Sequence, residues 1–396
     1  MTSTSSSDLR GDLSLPAFAA GWLAAFVGFA SSFAVIVQGL IAVGASQAEA
    51  ASGLMALSIS MGLCAVYLSL RTRLPISIAW STPGAALLAS TALPEGGFPV
   101  AVGAFLVTGL LIVIAGFWKP LGRAVAAIPA PLANAMLAGV LLGLCLAPVK
   151  AVAESPIHGL LIVVTWALVA RFRRLLAVPA AVIVTVVIIA ATVDVSGLQV
   201  DDLWPRPILI LPEFSIAGLI GIALPLFIVT MASQNIPGIA VLNVNGYRPE
   251  PGPLFSITGI FSLLSAPFGG HAVNLAAITA AICAGEDAHP DPKKRYWAAV
   301  IAGLFYLLFG LGAAAATAFI SAAPPILIQA VAGLALFGAF GGALMGAMAE
   351  AKDREAAVVT FVVTASGLSF FGVSSAFWGL VTGGAIYALA RWRKAG

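Results

Sequence analysis

Most of this chain is apolar, so the few polar groups inside its apolar stretches are where chemistry would have to be done. His271 is the titratable side chain placed deepest in such a stretch. An imidazole, with an ordinary pKa near ~6.5, loads and releases a proton close to neutrality. Ionisable groups at membrane depth are costly to bury, which makes them functional candidates by default. The alternative is a neutral imidazole hydrogen-bonded to a nearby backbone carbonyl. Asn274 follows three residues later, on the same face if the segment is helical. Gln234 and Asn235 are adjacent amides in MASQNIPGI (231–239), just ahead of Pro237, whose missing N–H frees a carbonyl one turn earlier. Gln38 stands some twenty residues into the first apolar stretch. For Gln38 and Asn134 the competing role is gluing helices together through hydrogen bonds.

Two segments interrupt the apolar pattern. In LPISIAWSTPGAALLAS (74–90), Ile76 to Trp80 reads as a short strand, and Pro83 suits the first turn of a helix. In SAPFGGHAVNLAAITAAICAG (265–285), Pro267 and the Gly269-Gly270 pair break a helix, and a helix of about fourteen residues should follow. Backbone can be broken at membrane depth only where it faces protein or a water-filled cavity. The half-helix starts, near Ser81, Thr82 and Gly84 and near Gly270 and His271, would bring unpaired N–H groups and partial positive charge to one depth. Such a pair would bind an anion without a fixed Lys or Arg. Gly84, Gly269 and Gly270 would let a ligand approach the backbone.

These segments must be carried by a polytopic membrane scaffold. The 396 residues are 61% hydrophobic and 9% charged, with a mean hydropathy of +1.06, which excludes an ordinary soluble domain. A span needs ~20 apolar residues. Counting on that basis places helices near 16–44, 48–70, 98–118, 130–150, 156–172, 175–195, 214–243, 252–266, 295–319, 324–349, 354–371 and 375–392. With the two broken segments, third and tenth in order, that makes fourteen crossings of an all-α fold. Seventeen of the 19 Lys and Arg residues fall in alternate gaps, and only Lys150 and Arg206 lie on the other side. Basic residues stay cytoplasmic, so both termini are expected there, in a bacterial inner membrane. The basic loops meet lipid headgroups and say nothing of nucleic acid. Cys64, Cys145 and Cys283 have no metal-like spacing, and no metal or cofactor is expected.

An internal duplication organises the crossings. LPAF at 15–18 recurs as LPEF at 211–214, an offset of 196 that also sets Gln38 on Gln234. Seven crossings per half require the second half to be inverted, the architecture of secondary transporters. The expected organisation is a disordered tail at 1–14, a first repeat at 15–200, an acidic outer linker at 201–213 and a second repeat at 214–396.

The runs AWSTPGAALLA (79–89), TMASQNIPGIAVLN (230–243) and SAPFGGHAVNLAAITAAICAGEDAHPDPKKRYWAA (265–299) resemble those of the benzoate:proton symporter family, BenE. The resemblance runs over essentially the whole chain. It implies a fold similar to uracil permeases and sulfate-type anion transporters, with segments 1–4 and 8–11 forming a core and segments 5–7 and 12–14 a gate. It also implies import of benzoate or a similar aromatic carboxylate with protons; a homodimer is a further expectation. His271 falls where the uracil-permease-like relatives carry an acidic residue, a departure that suits an anionic substrate. The competing transporter reading is an exchanger or uniporter with a structural His271. A channel would need a continuous polar lining, and an intramembrane enzyme a nucleophile–base pair or metal ligands; neither pattern is present.

Overall fold

The computed structural model describes residues 14–118, 120, 128–192, 204–276, 278–368, 370 and 373–392. The expected tail at 1–14, save Ser14, and the first three residues of the expected outer linker at 201–213 therefore lie outside the described residues. The helices are α1 (Leu15–Ala30), α2 (Phe33–Ala42), α3 (Gln47–Thr72), α4 (Thr82–Ala89), α5 (Phe98–Phe117), α6 (Ala130–Cys145), α7 (Ala147–Glu154), α8 (Pro156–Phe172) and α9 (Ala177–Thr192). The second half contributes α10 (Ile216–Val244), α11 (Pro251–Ser265), α12 (Ile278–Ala284), α13 (Tyr296–Leu311), α14 (Ala313–Ala322), α15 (Pro325–Met348), α16 (Arg354–Ala365) and α17 (Ser375–Trp392). Two strands, β1 (Ile78–Trp80) and β2 (Val273–Leu275), pair antiparallel.

Among the described residues, nine helical stretches are long and apolar enough to cross a membrane, fewer than the twelve spans expected. Of the expected spans, 156–172, 354–371 and 375–392 are not among these nine, and others are present but interrupted. The expected span 354–371 stops at Ala365, and Gly367 follows in the left-handed region, at φ +66°. The helix expected at 295–319 is divided at Gly312. The first stretch is interrupted at Ser31-Ser32, where the Ser32 hydroxyl turns back to the Gly28 carbonyl at 2.9 Å.

The larger departure is the tenth segment. In place of a fourteen-residue helix after Gly270, a single tight turn (Ala266–Phe268) leads through Gly269 into strand β2. The half-helix as described, Ile278–Ala284, has seven residues. Gly269 adopts φ +92°, and a Cβ there would meet Phe98, the Glu49 carbonyl and Gly53 at 3.2–3.3 Å. The physical reason for the strand is that β1 is buried and its backbone groups need partners where no water reaches. The 270s supply those partners in place of a helical turn.

α10 bears two wide, π-type turns, at Leu219–Ala223 and Met231–Asn235, each just ahead of a proline, Pro225 and Pro237. A proline ring clashes with the carbonyl four residues back, and an extra residue in the turn relieves that clash.

The helices pack as two groups. In one, α13 lies against α3 and α1, α5 against α11, and α2 against α4, with the strand pair between. In the other, α15 lies against α6 and α7, α16 against α17 and α6, and α8 against α9. Thinner contacts, α4 with α6 and α2 with α15, join them. Small residues allow the closest approaches in the first group. A Cβ on Gly62 would sit 2.6 Å from the Gly303 carbonyl oxygen, and one on Gly303 2.7 Å from that of Gly62.

Candidate substrate site at the strand crossing

The strand pair sets Ile78 opposite Leu275, Ala79 opposite Asn274 and Trp80 opposite Val273. The ladder extends at both ends, with Ser81 N–H donating to the Ala272 carbonyl (3.1 Å) and Ala276 N–H to the Ser77 carbonyl (3.0 Å). Residues 77 and 272, and 81 and 276, are each 195 apart, as are the central partners Ala79 and Asn274. The two broken segments are thus related by a local two-fold axis between Ala79 and Asn274. At this offset Gln38 matches Ser233, one residue from the expected Gln234.

Ser81 is the hub. Its hydroxyl caps α4 by accepting from Gly84 N–H (3.1 Å), and it also accepts from the Thr230 hydroxyl of α10 (2.9 Å). Its carbonyl accepts from Ala85 N–H within α4 (2.8 Å) and from His271 Nε2–H (2.9 Å). That bond assigns the neutral imidazole its tautomer: Nε2 carries the hydrogen and Nδ1 is left as a bare acceptor. Nδ1 has no partner, and the ring is fully buried, edge-on to Phe105 at 6.2 Å.

α10 runs along the crossing. Leu226 packs on Gly84, Asn235 Oδ1 accepts from the Leu275 N–H (2.9 Å), and Gly238 lies against the Leu275 side chain. Asn274 Nδ2 donates to the Leu275 carbonyl (2.9 Å), while its Oδ1 is buried without a partner. Gln38 and Gln234 are half-buried, and their side chains make no hydrogen bond among the described residues. Thr82 is half-buried as well, and Ala79 is the one position of the strand pair that is not closed over.

Some expected details differ. Few N–H groups are free at the start of α4: Pro83 has none, and those of Gly84 and Ala85 are taken, which leaves Thr82. Gly270 is not a half-helix start, because its N–H donates to the Ser265 carbonyl (3.0 Å). A Cβ on Gly84 would meet Leu226 and Ser81, and one on Gly270 would meet Ser265, so both glycines serve chain packing.

Several positioning residues carry no mark in the sequence. Ser262 of α11 accepts from Val273 N–H (2.8 Å), Ser77 and Thr279 share a hydroxyl bond (2.8 Å), and Trp80 Nε1–H donates to Ser32 (2.8 Å). Arg295, counted in the sequence only as a loop charge, is buried. It donates from Nη1 to the Ala284 carbonyl (2.9 Å) and from Nε to that of His289 (2.7 Å), closing the C-terminus of α12. A separate cavity of about 390 Å³, lined by Thr91, Pro94, Glu95, Ser215, Ile222 and Ser374 among others, contains none of the candidate residues. No group of three or more His, Cys, Asp or Glu side chains suited to a metal exists among the described residues.

A family model described as benzoate membrane transport protein matches residues 11–389. The chain belongs to this family. It is 44% identical over 375 residues to the inner membrane protein YdcO of Escherichia coli (strain K12), covering 94% of this chain and 95% of that one. It is 33% identical over 375 residues to a benzoate membrane transport protein of Acinetobacter baylyi, covering 95% of each. The fold is similar to that of the murine Solute Carrier 26 family member A9 anion transporter in the inward-facing state. There the TM-score is 0.62 at 14% identity, over 100% of this chain and 73% of that one. It is also similar to the transmembrane domain of the cyanobacterium bicarbonate transporter BicA (TM-score 0.55, 17% identity, 95% and 96% covered). As a member of the benzoate membrane transport family, the protein is a multi-pass membrane transporter and not an enzyme.

Proposed function

We propose that the protein imports benzoate or a similar aromatic carboxylate together with protons across a bacterial inner membrane, with both termini cytoplasmic. In this reading fourteen segments form two inverted repeats, 15–200 and 214–396, joined by the linker 201–213. Segments 1–4 and 8–11 make a core that moves against a gate of segments 5–7 and 12–14. The two packed groups of helices support that division.

One observation carries the location of the site. Of the five buried side-chain polar atoms without a partner among the described residues, two fall within four residues of each other, His271 Nδ1 and Asn274 Oδ1. Both lie where the broken segments cross. Leaving a buried polar group unpaired costs about 1–3 kcal/mol, and a ligand or a proton can repay that on binding. His271 takes up the coupled proton at Nδ1, since Nε2 is already committed to Ser81. The resulting imidazolium, with the Thr82 N–H at the start of α4, draws the carboxylate. Ser81, Thr82, Gly84, Gly269, Gly270 and Asn235 hold the backbone of the site, and Gln38 and Gln234 flank it. One proton carried with one benzoate moves no net charge, so the pH gradient alone would drive it.

A second reading, an exchanger or uniporter, is favoured by the His271–Ser81 bond itself, which a purely structural imidazole would also make. The site is tested by Ala79→Phe. Ala79 is the one partly exposed position of the strand pair, and a ring added there should occupy the space of the aromatic acid. Loss of labelled-benzoate binding by a folded protein is expected; parental affinity would move the site elsewhere.

A further inference from the structure

The surroundings of Asn274 set a requirement on the ligand, given that the crossing is the substrate site proposed above. Asn274 is fully buried in β2, and alternation along the strand puts it on the same side as Ala79, away from Val273 and Leu275. Its Nδ2 donates to the Leu275 carbonyl at 2.9 Å. That contact fixes which end of the amide is oxygen, because a flipped amide would set two oxygens together. Oδ1 is then an acceptor with no donor.

The nearby donors are committed elsewhere. The N–H of Leu275 goes to Asn235, that of Val273 to Ser262, and that of Ala276 to Ser77. Asn235 Nδ2 lies against the Met231 sulfur at 3.1 Å. Across the ladder, Ala79 offers no polar side chain, yet it is the one partly exposed position of the strand pair. A donor for Oδ1 therefore has to come from outside the described side chains, and the partly exposed Ala79 across the ladder is the nearest opening in the strand pair. An ionised carboxylate carries acceptors only and cannot supply it.

We infer that Asn274 Oδ1 accepts a hydrogen bond from an O–H group of the bound aromatic acid, so the transporter selects ligands that carry a donor toward β2. The O–H has two sources: the protonated carboxyl group itself, or a hydroxyl on the ring. In the first case the one coupled proton is shared between His271 and the bound carboxyl group, and the count of one proton per benzoate is unchanged.

The test is displacement of labelled benzoate from the purified full-length protein by benzamide, which carries a donor, and by methyl benzoate, which has acceptors only. Benzamide should displace at about 3–10-fold lower concentration than methyl benzoate, the worth of one hydrogen bond. In Asn274→Leu, close in size but without the acceptor, the two should differ by less than about twofold; Asn274→Ala serves if the Leu variant does not fold. Equal potency in the parent, or an unchanged preference in the variants, would overturn the inference and leave Oδ1 to a water molecule. The source follows from 3-hydroxybenzoate. If its advantage over benzoate vanishes with Asn274→Leu, the ring hydroxyl is the donor. If that advantage is unchanged while the benzamide preference collapses, the donor is the carboxyl end. Ala79→Phe separates the two levels: if it still binds benzoate, the site reading fails; if it does not and no donor preference exists, only this inference fails.

Discussion

Replacing His271 by Gln separates its two possible roles, since a Gln amide can keep the bond to Ser81 but cannot titrate. Nε2–H of His271 reaches the Ser81 carbonyl at 2.9 Å, and a Gln side-chain N–H can make the same contact from a similar distance along the chain. The Ser81 carbonyl also keeps its bond from Ala85 N–H, so even His271→Ala does not orphan it. The Gln variant should therefore unfold within about 1 kcal/mol of the parent, while the Ala variant loses more through the cavity left beside Phe105. Transport should respond differently. A pH difference of one unit is worth about 1.4 kcal/mol per proton, so a one-to-one symporter can concentrate benzoate about tenfold per pH unit. Without a group that loads the proton, His271→Gln should equilibrate benzoate and stop at a ratio near one. The assay is accumulation of labelled benzoate in proteoliposomes with an acidic exterior, measured above protein-free vesicles because the neutral acid itself crosses lipid. If His271→Gln accumulates benzoate as the parent does, the proton travels by another route and His271 is a structural link.

Two other perturbations probe the framework. Asn235→Leu leaves the Leu275 N–H buried without an acceptor, so it should destabilise the protein by about 1–3 kcal/mol, seen as a lower midpoint in thermal unfolding; Asn235→Asp, which keeps the oxygen, should bind benzoate better than the Leu variant. The charge pattern predicts that a Cys beside Arg173 or Lys293 is labelled only from the cytoplasm and one beside Glu213 only from outside; labelling of both from one side would refute the inverted repeat.

Much of the scaffold is legible because membrane insertion leaves a coarse mark, apolar runs of span length. The third segment was readable in detail, since a β-branched run followed by Ser81 and Pro83 is a local signal for strand, cap and helix start. The tenth segment was not. Three residues, Val273 to Leu275, carry no strand periodicity, and their pairing depends on a partner almost two hundred residues away. Its Ala-rich composition favours helix, but the unpaired backbone of β1 decides otherwise. In the sequence Gly84 and Gly270 look like openings toward a ligand, whereas their neighbours, Leu226 and Ser265, show them to be sites of close packing. Residue type alone cannot distinguish those uses. The amides and His271 stood out because polar groups are scarce in the spans, while Thr230 and Ser262, hydroxyls among many, did not.

The central claim is that a pH gradient drives benzoate inward through this protein. The most direct measurement is the initial rate and final level of labelled benzoate uptake by proteoliposomes of the parent protein as the imposed pH difference is varied at zero membrane potential. The account predicts a rate well above protein-free vesicles and an accumulation rising about tenfold per pH unit, abolished when a protonophore collapses the gradient. Protein-dependent uptake that reaches the same level whatever the gradient would contradict it and leave an exchanger or uniporter.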